Sequence, residues 1–312
     1  MLSCQPPTPL QPGDRLRVIA PSGCLRETTA FDRGIEIWRS RGYRIELSEG
    51  VNDRWGYLAG TDERRRAEFD DAWHDRHCRG ILCARGGYGG ARLLEGWQGS
   101  KPDRPKWLVG FSDITALLWR LTHFGISGVH GPLLTTLAAE PERSRQRLFD
   151  WVEGRKLEPI HGNGWGGGSA TGVLLPGNLT VATHLLGTPV QPNLDGAILA
   201  LEDVSEAPYR LDRMLTQWRM MGWLHRVGGI ALGRFSRCDP PPDRPSFGVE
   251  EVLRDRLSDL GIPVVSDLPF GHEGENAALP VGVMATLDGD RGTLEVLDCF
   301  TPNTAGLIRR WG

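Results

Sequence analysis

The first half of the chain alternates short apolar runs with amphipathic stretches. Arg15 to Ala20 reads as a buried strand (Leu16, Val18, Ile19) stopped by Pro21 and Gly23, and Thr28 to about Arg41 as an amphipathic helix. A second strand is expected at Tyr43 to Leu47, and a helix with acidic residues in its first turn from Thr61 to Asp75. The apolar run Gly80 to Ala84 leads straight into Arg85-Gly86-Gly87-Tyr88-Gly89-Gly90, which precedes a helix-like Ala91 to Leu94. Trp107 to Phe111 is again strand-like. From Asp113 to about Phe124 the apolar positions Ile114, Leu117, Leu118 and Leu121 fall at i, i+3, i+4 and i+7, one stripe of a helix. Such alternation predicts a mainly parallel sheet covered by helices on both faces.

The pattern breaks between Glu140 and Ser169. Charge-rich residues give way there to Gly162-Asn163-Gly164-Trp165-Gly166-Gly167-Gly168, which reads as a linker without regular structure. Strand-like runs dominate beyond it: Ala170 to Leu175, Ala197 to Leu201, Gly229 to Leu232 and Pro263 to Ser266. A hairpin should pair Val281 to Leu287 with Thr293 to Leu297. Helices are expected from Pro208 to about Trp223 and from Val249 to about Leu260. The organisation that follows is an N-terminal α/β domain at 1–140, a linker at 141–169 and a smaller β-rich α/β domain at 170–312.

Composition narrows the class. A chain of 312 residues with 39% hydrophobic and 24% charged residues is ordinary for a globular protein with a sizeable core. Its net charge of -3 gives no reason to expect nucleic acid or an anionic membrane as partner. The densest basic cluster, Arg64-Arg65-Arg66, reads as a solvated helix face. No apolar run approaches the roughly 20 residues that span a bilayer, and the proline-rich start carries no signal-like segment. A cytoplasmic location is the expectation. Six cysteines without framework spacing fit buried free thiols in a reducing compartment.

Four segments have residues suited to chemistry. In Val109-Gly110-Phe111-Ser112-Asp113-Ile114-Thr115 a serine is squeezed between strand and helix. Its hydroxyl stands at the carboxyl edge of the sheet, near the positive end of the helix dipole. The plainer reading is that Ser112 caps the helix. The loop Arg85 to Gly90 offers backbone N–H groups to an oxyanion, or is simply a tight turn. It matches neither a phosphate-binding nor a dinucleotide motif, so no cofactor is expected. Glu202, ending the run Leu199-Ala200-Leu201, needs a histidine or arginine partner if buried, which a structural ion pair also provides. His272, in Phe270-Gly271-His272-Glu273-Gly274-Glu275-Asn276, lies between glycines and is suited to a general base. Another histidine, His130 in His130-Gly131-Pro132, is a candidate to line the cleft. No His-Glu-x-x-His or paired Cys-x-x-Cys motif occurs, so no metal site is expected.

Together these segments resemble the LD-carboxypeptidase family of serine peptidases. The resemblance is carried by Gly110-Phe111-Ser112-Asp113-Ile114, Arg85-Gly86-Gly87-Tyr88-Gly89, Leu201-Glu202-Asp203-Val204, Tyr209-Arg210-Leu211-Asp212-Arg213 and Gly271-His272 with Asn276. His130-Gly131-Pro132 and Gly177-Asn178-Leu179 add to it, and the match is collinear from about Gly13 to about Gly289. It implies a triad of Ser112, Glu202 and His272 at a domain interface, with oxyanion donors from the backbone of Asp113, Gly86 and Gly87. Arg85, Tyr88, His130 and Asn178 become candidate substrate-binding residues. A first domain like class I glutamine amidotransferases, a homodimer, and release of the terminal D-alanine from murein tetrapeptide in cytoplasmic peptidoglycan recycling are also implied. Two alternatives stand beside that activity. One is a microcin C immunity-type peptidase acting on aminoacyl-nucleotide toxins, for which Trp165 or Trp223 would supply an aromatic platform. The other is a non-catalytic binding protein of the same fold. Phe111, where tyrosine is frequent, and the loop Asp239 to Pro245 depart from the family pattern.

Overall fold

The computed structural model describes residues 3–300 other than 27, 98, 241 and 244, so that Pro241 and Arg244 of the Asp239 to Pro245 loop lie outside the described residues. The first lobe runs β1 (Arg15–Ile19), α1 (Thr29–Ser40), β2 (Arg44–Leu47), α2 (Asp62–His74), β3 (Cys78–Cys83), α3 (Gly90–Leu94), β4 (Trp107–Gly110), α4 (Thr115–Thr122), β5 (Val129–His130) and α5 (Leu134–Leu137). Next come α6 (Glu142–Val152), β6 (Ile160–His161) and β7 (Asn163–Gly164). The second lobe continues with β8 (Ser169–Asn178), α7 (Leu179–Leu185), β9 (Ile198–Val204), α8 (Pro208–Met220), β10 (Gly229–Ser236), α9 (Val249–Leu257), β11 (Val264–Ser266), β12 (Leu279–Pro280), β13 (Met284–Asp288) and β14 (Thr293–Val296).

Among the described residues the strands form two sheets. The first has the order β12-β5-β4-β3-β1-β2, parallel except for β12. Its central strands β3, β4 and β5 are buried on both faces, as a parallel sheet between helices requires, whereas the edge strand β2 is largely exposed. Alternate residues of β3 separate accordingly: Ile81 and Cys83 pack with α2 and α4, while Leu82 packs with α1 and α6. The second sheet, β6-β14-β13-β8-β9-β10-β11-β7, has a parallel centre of β8 to β11 with antiparallel strands outside it. The expected mainly parallel sheet flanked by helices, followed by a β-rich α/β lobe, is therefore present.

The stretch expected as a featureless linker is structured. Helix α6 buries Leu148, Phe149, Trp151 and Val152, an apolar stripe at its far end that the charges of its first turns conceal in the sequence. The glycines beyond it form short edge strands in close backbone packing. A side chain at Gly164, for instance, would meet the backbone nitrogen of Gly292 at 3.0 Å. The Arg64 to Arg66 cluster is not wholly solvated either. Arg65 is buried and lies on the inner face of α2 with Phe69, Ala72 and Trp73.

Two features join the lobes. The chain returns from the second sheet after β11 to add β12 to the edge of the first, antiparallel to β5. Across the seam, the fully buried indole of Trp119 on α4 donates its Nε1–H to the carbonyl of Pro176 on β8 at 3.0 Å. Replacing Trp119 by alanine should remove that bond and leave a cavity at the seam. The expected cost is about 3–5 kcal/mol, read as a lowered urea midpoint at unchanged m; a loss below about 1 kcal/mol would show that the seam does not depend on this side chain.

Candidate active site

Strand β4 ends at Gly110, and Ser112 follows in a left-handed conformation at φ 63°. Non-glycine residues seldom adopt this backbone, and it persists where surrounding structure imposes it. The other described non-glycine residues with positive φ are Ser205, Arg237 and Asp267, which directly follow β9, β10 and β11. Sharp turns at the carboxyl ends of parallel strands thus surround the seam, where sites in such sheets lie. The turn decides what Ser112 does. Its side chain caps neither the short 3-10 turn Ser112–Ile114 nor α4. Instead Ser112 Oγ lies 3.1 Å from His272 Nε2.

His272 occupies the loop that crosses from β11 to β12, and its other ring nitrogen, Nδ1, lies 2.6 Å from Glu202 Oε2. Glu202, near the end of β9, has no solvent exposure. Burial pushes its carboxyl upward from the usual range, opposed by the hydrogen bonds from His272 and Asn178. An ionised Glu202 only accepts, so Nδ1 donates to it and Nε2 is left to accept from the Ser112 hydroxyl. Phe111 covers the imidazole with its ring centroid 4.7 Å away.

The glycine loop stands against the serine. A Cβ on Gly86 would lie 3.1 Å from Ser112 Cβ and 3.3 Å from Oγ, so any larger residue there would press directly on Ser112. The Gly86 carbonyl accepts from Gly23 N–H at 3.0 Å, tying the turn after β3 to the turn after β1. The Asp113 side chain is buried, and Asp113 Oδ2 accepts from Ser22 Oγ–H at 2.5 Å and Gly90 N–H at 2.6 Å. Burial raises its carboxyl, with these two bonds and the nearby Arg65 acting in the opposite sense. Arg65 in turn donates to the carbonyls of Pro21 and Gly89. Sequence reasoning missed Ser22, the Asp113 carboxylate and Arg65 as supports of the loop. The spacing of Arg65 with Phe69 and Ala72, on one face of α2, was the available signal.

Four candidate substrate contacts divide. Arg85 is half-buried beside Gly86 and donates only long bonds, to the carbonyls of Cys24 at 3.4 Å and Gly86 at 3.5 Å. It has no carboxylate partner among the described residues. Tyr88 is 52% exposed and meets Tyr57 edge-on at 5.7 Å. His130 does not line a cleft. It is fully buried between Phe111 and Phe270, neither ring nitrogen has a partner, and burial lowers its pKa to about 3. Asn178 is also buried and occupied: its Nδ2 donates to Glu202 Oε1 at 3.3 Å and Asp203 Oδ1 at 3.1 Å, while its Oδ1 accepts from Val181 N–H and caps α7. In this arrangement it supports the acid. Trp165 and Trp223 each have a guanidinium over the ring, Arg254 at 4.5 Å and Arg226 at 4.4 Å, which leaves neither a free pair of faces.

Thr115 closes a circuit across the seam. Its hydroxyl donates to the Ser112 carbonyl at 2.7 Å and accepts from Asn178 N–H at 3.0 Å. Ser112, Thr115, Asn178, Glu202 and His272 are therefore joined in one ring of hydrogen bonds. All six cysteines are free thiols, four of them buried and Cys24 and Cys299 partly so. Among the described residues no group of three or more His, Cys, Asp or Glu side chains could hold a metal ion, and no helix is long and apolar enough to cross a membrane.

A serine on a strained turn, held to a buried acid through histidine at the seam of two α/β lobes, defines the class of site. Residues 16–131 match the LD-carboxypeptidase N-terminal domain, and residues 171–287 match the LD-carboxypeptidase C-terminal domain. A Synechocystis sp. protein, provisionally named a carboxypeptidase, is 59% identical over 291 residues, covering 93% of this chain and 97% of its own. The murein tetrapeptide carboxypeptidase of Pseudomonas aeruginosa is 32% identical over 298 residues, covering 90% and 95%. The solved muramoyltetrapeptide carboxypeptidase of Oxalobacter formigenes superposes with a TM-score of 0.79 at 29% identity, over 92% of this chain and 100% of that one. The chain belongs to the LD-carboxypeptidase family, a family of peptidases.

The buried His130 generates an acid-stability prediction. A free imidazole titrates near pH 6.5, so below that pH the unfolded chain takes up a proton that folded His130 refuses until about 3. Its contribution to stability is intact above pH 6.5 and is lost as pH falls toward 3, by up to about 1.4 kcal/mol per unit. Relative to His130→Gln, the wild type should lose roughly 2–3 kcal/mol between pH 6.5 and pH 4.5 in urea titrations. Parallel losses in the two proteins would place the acid sensitivity elsewhere.

Proposed function

We propose that the protein is a serine carboxypeptidase of LD specificity that releases the terminal D-alanine from murein tetrapeptide. The observation that carries this reading is the placement of the His272 imidazole, 2.6 Å from Glu202 and 3.1 Å from Ser112. In the first step His272 Nε2 takes the hydroxyl proton as Ser112 Oγ bonds to the carbonyl carbon ahead of the terminal residue. Glu202 stabilises the imidazolium and keeps Nδ1 protonated. The resulting oxyanion accepts from the backbone N–H of Asp113 and the Gly86-Gly87 turn, each donor contributing about 2.7–4 kcal/mol. His272 then returns its proton to the departing amine, and D-alanine leaves. Water, deprotonated by the same nitrogen, attacks the acyl-serine and restores Ser112.

Arg85 is the proposed anchor for the terminal carboxylate. It is a cation beside the glycine loop with only weak backbone bonds, and a guanidinium matches a carboxylate bidentately. The nucleophile comes from the lobe before residue 140, and acid and base from the lobe after residue 170. Action on a wall-derived peptide would place the enzyme in cytoplasmic peptidoglycan recycling, working as a homodimer.

The direct test is to incubate the protein with L-Ala-γ-D-Glu-meso-diaminopimelate-D-Ala and measure free D-alanine. Ser112→Ala should lower turnover by a factor on the order of 10⁴–10⁶. Retention of more than a tenth of the activity would rule the serine mechanism out. Preferential turnover of an aminoacyl-sulfamoyl adenylate would move the protein to the microcin-immunity activity, and failure to turn over either substrate would favour a binding role.

The carboxylate anchor has its own signature. Arg85→Ala should raise KM for the tetrapeptide by about 10–150-fold, the worth of a hydrogen bond to a charged group. Wild type should discriminate against the C-terminal amide of the same peptide, and the variant should not. A variant that still discriminates would place the carboxylate elsewhere.

A further inference from the structure

The loop bearing His272 holds no helix or strand and contains two glycines with positive φ, Gly271 and Gly274. Two bonds close its base, Gly271 N–H to Asn276 Oδ1 at 3.2 Å and Ala277 N–H to the Pro269 carbonyl at 2.8 Å. Neither reaches outside the loop. From outside, β10 holds the near end of the loop, where Arg234 N–H donates to the Phe270 carbonyl at 2.8 Å, and Arg237 pairs with Glu273 at 3.1 Å. The far end, beyond His272, is held by the segment around the start of α6. Asn276, almost wholly buried, donates its N–H to Glu140 Oε2 at 2.9 Å, and its carbonyl lies 2.9 Å from Ser144 Oγ. Ser144 Oγ is also 2.8 Å from that Glu140 oxygen. Both backbone groups of one loop residue are thereby held by two side chains of another element. Two arginines extend the grip: Arg143 Nε donates to Glu275 Oε2 at 2.6 Å, and Arg147 Nε to the Ala278 carbonyl at 3.0 Å.

This segment falls between residues 131 and 171, outside both parts of the chain that match the family domains. We propose that Glu140 is a positioning residue that acts through Ser144 and Asn276 to set the place of His272 over Ser112. The inference rests on the reading of Ser112 and His272 as nucleophile and base. A carboxyl as buried as Glu140 is costly without partners, and burial raises it from its ordinary range. Ser144 has one hydroxyl proton and two acceptors beside it, the Glu140 oxygen and the Asn276 carbonyl. A neutral Glu140 closes the ring, because its O–H donates to Ser144 Oγ, Ser144 donates to the Asn276 carbonyl, and Asn276 N–H donates back to Glu140; the buried Asn276 Nδ2 stays outside it without a partner. Such a closed ring is stiff where the glycine-containing loop is not. Misplacement of a catalytic base by about 1 Å costs on the order of 10²-fold in rate.

The test compares Glu140→Leu with Glu140→Gln, using the rate at which a serine-directed phosphonate labels Ser112 together with kcat and KM for the tetrapeptide. Leucine leaves the Asn276 N–H without an acceptor, whereas glutamine keeps one. The leucine variant should show labelling and kcat slowed by roughly 10–100-fold with KM within about threefold, and glutamine should restore both rates to within about threefold of wild type. A folded leucine variant that labels at the wild-type rate, or one in which KM rises and kcat does not fall, overturns the proposal. Should the leucine variant not fold, Ser144→Ala removes the partner shared by the Asn276 carbonyl and Glu140 while leaving the Asn276 N–H its acceptor. Labelling slowed at least threefold in that variant supports the proposal, and labelling at the wild-type rate overturns it. A wild-type protein that the phosphonate does not label at Ser112 overturns the nucleophile reading and this one with it; a labelled wild type with an equally labelled leucine variant overturns this one alone.

Discussion

Glu202 is a carboxylate with no access to water, placed near the end of a strand where apolar neighbours would otherwise force it to neutralise. Desolvating such a group costs several kcal/mol, recovered only through close partners of fixed geometry. It therefore needs both Asn178 and His272, and each comes from a different element. Asn178 ends β8, the parallel neighbour of β9, so register alone sets it opposite Glu202. His272 arrives on a loop between β11 of one sheet and β12 of the other. The acid can stay ionised only if the chain completes this crossing, so the charge at the centre of the site and the docking of the lobes are one requirement.

That coupling explains why the ring of hydrogen bonds through Thr115 spans the seam. Thr115 stands in the first turn of α4, three residues after Ser112, with its hydroxyl between the Ser112 carbonyl and the Asn178 N–H. The strained φ of Ser112 is then imposed from both sides. The first lobe contributes the glycine loop, held by Asp113, Ser22 and Arg65; the second contributes Asn178 through Thr115. Backbone strain of this kind is stable only when over-determined in this way.

Legibility in the sequence followed the range of the forces involved. Where local patterning dominates, the expectations held: α2 with its acidic first turn, the stripe of α4, the buried strands β1, β3 and β4, and the hairpin of β13 and β14. The rank of Ser112 over a mere helix cap was not decidable locally, because cap and nucleophile share residue type and position. What separates them is His272, 160 residues away. The occupation of Asn178 by Glu202 and Asp203, and the burial of His130 between Phe111 and Phe270, likewise rest on contacts between separate elements that no local pattern reports. Helix α6 failed for a different reason: its apolar residues crowd its final turns, and the preceding charges are spent on the His272 loop, where no periodicity reports them. Arg143, Ser144 and Arg147 look like a solvated face until their partners at Glu275, Asn276 and Ala278 are known.

The two halves of the site thus meet different demands. The proposed nucleophile, on a tight strand-to-helix turn, is aimed by its own neighbours, since the turn admits few conformations. The proposed base, on a glycine-containing loop, has no such guidance from local geometry. Its position must be supplied by contacts distant in sequence, and these come from Glu202, Phe111, the end of β10 through Arg234 and Arg237, and the Glu140 segment. A fold that brings a histidine across a domain seam on a flexible loop gains access to a fully buried acid, and in exchange needs a third element to hold the loop still. The charged first turn of α6, unneeded for the core that its last turn helps to build, is placed to do that.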